Sequence, residues 1–134
     1  MGEGVEFEPI PPETEAIAAG LIEAAFRVHR ALGPGLLESV YEACLCHELG
    51  KLGVPFERQV EVPVEYDGVR LGIGLRLDIL AGEHVVAELK AVEKIEPLHQ
   101  AQLLTYMKLA GVRLGFLINF NVAQLKDGIV RMVL

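Results

Sequence analysis

Apolar residues recur at two different periods along this chain, and each change of period marks a new element. From Thr14 to Leu32, the positions Ile17, Leu21, Ala24, Val28 and Leu32 fall three or four residues apart, the spacing of one helix face. Gly33-Pro34-Gly35 stops that helix. A second helix is predicted from about Leu36 to Leu52, with Leu37, Val40, Tyr41, Cys44, Leu45 and Leu49 as its apolar face. The period then drops to two. Val60, Val62, Val64 and Tyr66 alternate with Gln59, Glu61, Pro63 and Glu65, and Asp67-Gly68 is a strong hairpin turn. The returning strand places Val69, Leu71, Ile73, Leu75, Leu77 and Ile79 on one face and Arg70, Arg76 and Asp78 on the other. A third strand runs from about His84 to Val92, with Val85, Ala87, Leu89 and Ala91 inward. Pro97 opens a third helix that ends at Gly111. Val112 to Phe120 reads as a strand buried on both faces, and Asp127-Gly128 turns into a last strand, Ile129 to Leu134. The order is ααβββαββ, an α/β fold with a mixed sheet flanked by helices.

At 134 residues, 51% hydrophobic and 23% charged, the chain is sized for one domain with a real core. The expected division is an irregular acidic arm over residues 1–12 and a single domain over residues 13–134. Cys44 and Cys46 are too few for a disulfide scaffold, point to different sides of their helix, and read as packing thiols. No apolar run reaches the roughly 18 residues of a membrane span. Met1 to Pro12 has no basic residue and no apolar stretch, so no secretory leader is expected and the cytoplasm is the expected compartment.

Net charge is −7, from 12 basic and 19 acidic residues. Five of the acids, Glu3, Glu6, Glu8, Glu13 and Glu15, lie in the first 15 residues with no base among them, which leaves 14 acids against 12 bases. Such a balance excludes a protein held to nucleic acid by bulk positive charge. A weak or metal-dependent grip is compatible with it.

Strand parity singles out one cluster. Glu88 and Lys90 are two apart and share a face. A two-residue turn at Gly82 would put Asp78 on the opposite face. A loop of about three residues, with Gly82 left-handed, pairs even with even and brings Asp78, Glu88 and Lys90 together. Only that register sets Leu75, Leu77 and Ile79 on the face of Val85, Ala87 and Leu89. Two adjacent carboxylates repel unless a cation lies between them. Mg²⁺ or Mn²⁺ suits such a site, with the lysine beside it; a cross-strand network of surface charges is the other reading. Glu38, in the first turn of the second helix, points toward the same place, or simply suits the helix dipole. Gln102 and Tyr106 share a face of the third helix, with His99 one turn earlier. Arg76 shares the strand face of Asp78, which makes it a candidate substrate contact.

The run Gly35-Leu36-Leu37-Glu38-Ser39-Val40-Tyr41 resembles the signature of the bacterial GxxExxY proteins, and the similarity extends through "ERQVEVPVEYDGVRLG", "LDIL", "VVAELKAVEKIEPLHQAQLLTYMKL" and "GFLINF". It covers nearly all of residues 14–134. That family is placed in the PD-(D/E)xK nuclease-like superfamily. The resemblance implies a restriction-endonuclease-like αβββαβ core, here with an extra N-terminal helix, and a nuclease that hydrolyses DNA with Mg²⁺ or Mn²⁺. It implies Asp78 as the motif aspartate, Glu88 and Lys90 as the E-x-K pair, and Glu38 as an added helix glutamate acting on the metal or its water. Gln102 to Tyr106 resembles a Q-x-x-x-Y motif, which makes Gln102 a catalytic-site residue and Tyr106 a substrate or scaffold contact. Leu77 stands where the motif has proline, a position that carries no chemistry. The alternative is a catalytically silent module of the same fold that binds a protein or nucleic-acid partner. RNA is a less favoured substrate than DNA, no membrane partner is expected, and a homodimer is a possible assembly because Ile129–Leu134 would form an edge strand.

Overall fold

The computed structural model describes residues 8–134, so most of the acidic arm, residues 1–7, lies outside the described residues. The elements follow the expected order: α1 (Pro12–Leu32), α2 (Glu38–Lys51), β1 (Phe56–Tyr66), β2 (Val69–Ala81), β3 (Val85–Lys90), α3 (Pro97–Ala110), β4 (Leu114–Asn119), and β5 (Ile129–Val133) after a short 3₁₀ turn. Helix α1 starts two residues earlier than its apolar spacing suggests. Proline is tolerated in a first turn, where the missing N–H has no partner anyway.

The five strands form one sheet in the order β1-β2-β3-β4-β5, antiparallel throughout except for the parallel pair β3 and β4. That pair needs a long crossover, and α3 supplies it. Strand β4 is buried along its whole length, and β5 is an edge strand.

Helices α1 and α2 cover one face through Leu21, Ala25, Val28, Leu45 and Leu49, against Ile79, Val85, Ala87, Leu89 and Phe116. Helix α3 covers the other face through Leu103 and Met107, against Val62, Leu77, Val86 and Leu117. Gly115 makes the close approach of α3 possible, because a Cβ there would lie 2.6 Å from the Met107 sulfur. At the end of β4, the buried Asn119 side chain accepts from the Val92 N–H at 3.1 Å and donates to its carbonyl at 2.9 Å. That fixes the chain as it leaves β3 just past Lys90.

The faces of two elements differ from the sequence pattern. On α2, Leu37 and Val40 are exposed, while Glu42 and Cys46 are buried beside Tyr41, Leu45 and Leu49. The helix is rotated so that a carboxylate, not an apolar side chain, fills part of its inner stripe. On β2, Leu75 and Leu77 pack under α3, whereas Ile79 and Ala81 pack under α1 and α2. Only Ile79 therefore shares the face of Val85, Ala87 and Leu89 as expected. Strand β1 crosses over at the same level, with Phe56 on the α1–α2 side and Val60 on the α3 side.

Tyr41 ties α2 to the preceding turn. Its ring is fully buried and stacked on Phe120, with centroids 4.5 Å apart. Its hydroxyl donates to the Gly33 carbonyl at 2.6 Å and accepts from the Leu36 N–H at 3.1 Å. The hydroxyl thus sets where α2 begins, and with it the position of Glu38. Tyr41→Phe should keep the ring stacking but lower stability by about 1–2 kcal/mol, measured by denaturant unfolding, because two backbone groups lose a partner.

Candidate active site

The hairpin between β2 and β3 decides whether the candidate residues meet. Its pairs are Ile79–Ala87, Leu80–Val86 and Ala81–Val85, which leaves a three-residue loop, Gly82-Glu83-His84. Gly82 and Glu83 both adopt the left-handed region, with φ of 56° and 65°. This is the odd loop that parity requires, and it sets Asp78 level with Glu88.

The backbone pairing between β2 and β3 stops one step short of that level. Side chains take over the bonds. The Asp78 N–H donates to Glu88 Oε2 at 2.8 Å, and the Leu89 N–H donates to Asp78 Oδ2 at 2.9 Å. The N–H and C=O of one strand residue point the same way. The Leu89 carbonyl therefore faces the same gap as its N–H.

A second irregularity lies across from Asp78 on β1. Arg58 pairs with Ile79 and Val60 with Leu77, but Gln59 between them has φ of 52° and leaves the ladder. Left-handed backbone costs a residue with a Cβ about 1–2 kcal/mol. At the level of Gln59 and Asp78 apolar residues cross from one face to the other on both strands.

Burial and like charge make the site electrostatically tense. Glu88 is buried, and its pKa is raised to about 8, first by desolvation and then by the Asp78 charge. Asp78 is also raised, mainly by burial, with the Leu89 N–H opposing and Glu42 adding repulsion. Glu38, at the exposed start of α2, is raised by desolvation and by the nearby Asp78, against the pull of Lys90. Glu38 and Lys90 are thus near enough to influence Asp78 and Glu88 by charge, while the direct contacts join Asp78 and Glu88. Lys90 is half-buried and has no ion pair within 4.0 Å among the described residues.

The remaining candidates sit further out. Gln102 is exposed on α3, and Tyr106 is half-buried against the core beneath that helix. His99 Nδ1 accepts the Glu96 N–H at 2.9 Å and so caps the start of α3. Arg76 lies 3.5 Å from Glu61 on the exposed β1–β2 hairpin. No hydrogen bond joins these four to Asp78, Glu88 or Lys90 among the described residues.

Sequence reasoning passed over Glu42. This buried carboxylate takes Arg58 Nε and Nη2 at 3.1 and 2.7 Å on one oxygen and Gln59 Nε2 at 2.7 Å on the other. Its spacing was a usable signal, because it lies one helical turn after Glu38 and faces the same way.

The donor set suits a hard divalent cation. No group of three His, Cys, Asp or Glu side chains placed to hold a metal ion occurs among the described residues. Two carboxylates and a carbonyl are enough for an ion that keeps several waters, and the charge they bury is what a cation would offset. A family model described as the PD-(D/E)XK nuclease superfamily matches residues 15–132. No curated protein and no solved structure matches the chain.

The raised pKa of Glu88 has a consequence for stability. The folded form holds this proton more tightly than the unfolded chain, whose glutamate titrates near 4.5. The stabilisation is therefore complete below about 4.5 and is lost as pH rises through about 8. Thermal melts of the metal-free protein should show stability declining across that window, and Glu88→Gln should flatten the decline.

Proposed function

The chain belongs to the PD-(D/E)XK nuclease superfamily, and on that premise we propose that it hydrolyses phosphodiester bonds in DNA with Mg²⁺ or Mn²⁺. Members of the superfamily are generally dependent on a divalent metal. The observation that carries the reading is the meeting of Asp78 and Glu88 where β2 and β3 part, with Lys90 two residues on along β3.

In this reading Asp78, Glu88 and the Leu89 carbonyl hold the ion. When bound, it would lower the pKa of a coordinated water and offset charge on the scissile phosphate. Lys90 holds the attacking water by its ammonium and stabilises negative charge as it develops on the phosphoryl oxygens. Glu38 orients a further water from the α2 side, and the exposed Gln102 supports that geometry from α3. Tyr106, Arg76 and the outer nitrogen of His99 are offered as contacts along the nucleic-acid strand. With net charge −7, the grip on phosphate relies on the ion more than on the surface. A second copy of the chain would lengthen the contact with a duplex, and sedimentation at several concentrations tests for one.

One observation favours the silent-module reading. Asp78 and Glu88 already satisfy each other's strands through the bonds at 2.8 and 2.9 Å, so the fold needs no ion to close the gap. Calorimetry separates the two readings. A nuclease should take up Mn²⁺, and Asp78→Ala should abolish the uptake. It should also cut single- or double-stranded DNA in Mg²⁺ or Mn²⁺, and Lys90→Ala should stop cutting while leaving Mn²⁺ uptake measurable. Cutting that survives Lys90→Ala would reject the role given to Lys90. Absence of Mn²⁺ uptake would favour the module.

A further inference from the structure

Successive residues of a strand point to opposite faces, yet Arg58 and Gln59 both bond the Glu42 carboxylate. The left-handed backbone at Gln59, φ 52°, makes this possible. Such backbone is unfavourable for any residue with a Cβ and persists where surrounding contacts impose it. Here the contacts are specific. Arg58 occupies one oxygen of Glu42 twice, at 3.1 and 2.7 Å, and Gln59 occupies the other at 2.7 Å. With both oxygens engaged and its side chain buried, Glu42 is an anchor rather than an ion ligand.

The Gln59 amide does not end at Glu42. The same nitrogen lies 3.5 Å from Asp78 Oδ1, the outer limit of a hydrogen bond. An amide nitrogen carries two hydrogens, one for each carboxylate, and the carbonyl end of the amide could serve neither anion. The other Asp78 oxygen, Oδ2, is held by the Leu89 N–H at 2.9 Å. Both oxygens of Asp78 thus face donors, one from β1 and one from β3.

Building on the nuclease reading, we propose that Gln59 is a positioning residue for Asp78: its amide, anchored by Glu42 and Arg58, fixes the Asp78 carboxylate in the gap between β2 and β3. The chain of contacts runs from Arg58 to Glu42, then Gln59, then Asp78. Gln59 touches neither substrate nor ion and acts through Asp78.

The test has a metal-free arm and a metal arm. In the metal-free full-length protein, the Gln59 side-chain amide should exchange slowly by NMR, and Asp78→Asn and Glu42→Gln should each shift its signals. Solvent-like exchange, or signals unmoved by Asp78→Asn, would overturn the proposal. In the metal arm, Gln59→Gly keeps a residue suited to left-handed backbone and removes the amide. It should melt within a few degrees of the parent and bind Mn²⁺ about tenfold more weakly by calorimetry, the loss typical of removing an outer-shell partner. Mn²⁺ affinity within twofold of the parent would also overturn it. If the parent itself takes up no Mn²⁺, the nuclease reading fails, and the amide measurement alone decides the role of Gln59.

Discussion

At Asp78, β2 is out of backbone pairing with both of its neighbouring strands. On one side the pairing with β3 stops after Ile79–Ala87. On the other, Gln59 turns left-handed and drops out of the pairing with β1. The freed N–H groups do not go unsatisfied: Glu88 takes that of Asp78, and Asp78 takes that of Leu89. A buried N–H without a partner would cost about as much as a lost hydrogen bond, so the gap exists only because carboxylates fill it. The division of the core follows from the same point. Leu75 and Leu77 go under α3, and Ile79 and Ala81 go under α1 and α2, because the pleat inverts between them.

Three carboxylates near this point meet burial in different ways. Glu42 is neutralised by Arg58 and hydrogen-bonded by Gln59, and it serves as structure. Asp78 is partly relieved by the Leu89 N–H. Glu88 accepts the Asp78 N–H, but burial and the Asp78 charge outweigh that bond, and it holds its proton up to about 8. A cation and a proton are alternative remedies for the same charge, which is the physical link between the acid-holding site seen here and metal-dependent chemistry. The negative charge of the whole chain fits this economy, since the acids that would repel phosphate at the site are those a cation would offset.

Much of this arrangement was legible in the residues. Periods of 3.6 and 2 placed the first two helices and the first three strands, proline, glycine and turn signals with an apolar run placed the rest, and parity with the three-residue loop at Gly82 set Asp78 level with Glu88. The supporting argument was only partly sound: the apolar faces agree at Ile79 but not at Leu75 or Leu77, because parity assumes an uninterrupted pleat. Gln59 looked like an ordinary outward strand residue, and nothing in its neighbours announces φ of 52°. Glu42 was hidden for a related reason. Helix periodicity reads apolar side chains as inward, so Leu37 and Val40 were assigned to a face they do not occupy. His99 shared a helix face with Gln102, yet its ring is engaged in capping α3.

The sequence by itself determined the elements, their order, the parity of Glu88 with Lys90 and the length of the loop that aligns Asp78 with them. Those features depend on spacing along one chain and on local turn chemistry. Only the tertiary structure decided that the pleat inverts at Gln59, that Glu42 anchors Arg58 and Gln59, that Tyr41 sets the start of α2, and that Glu88 is desolvated enough to hold a proton near neutrality. Each of these depends on groups far apart in the chain meeting where water is excluded. Burial and charge coupling arise from that meeting and have no counterpart in residue spacing.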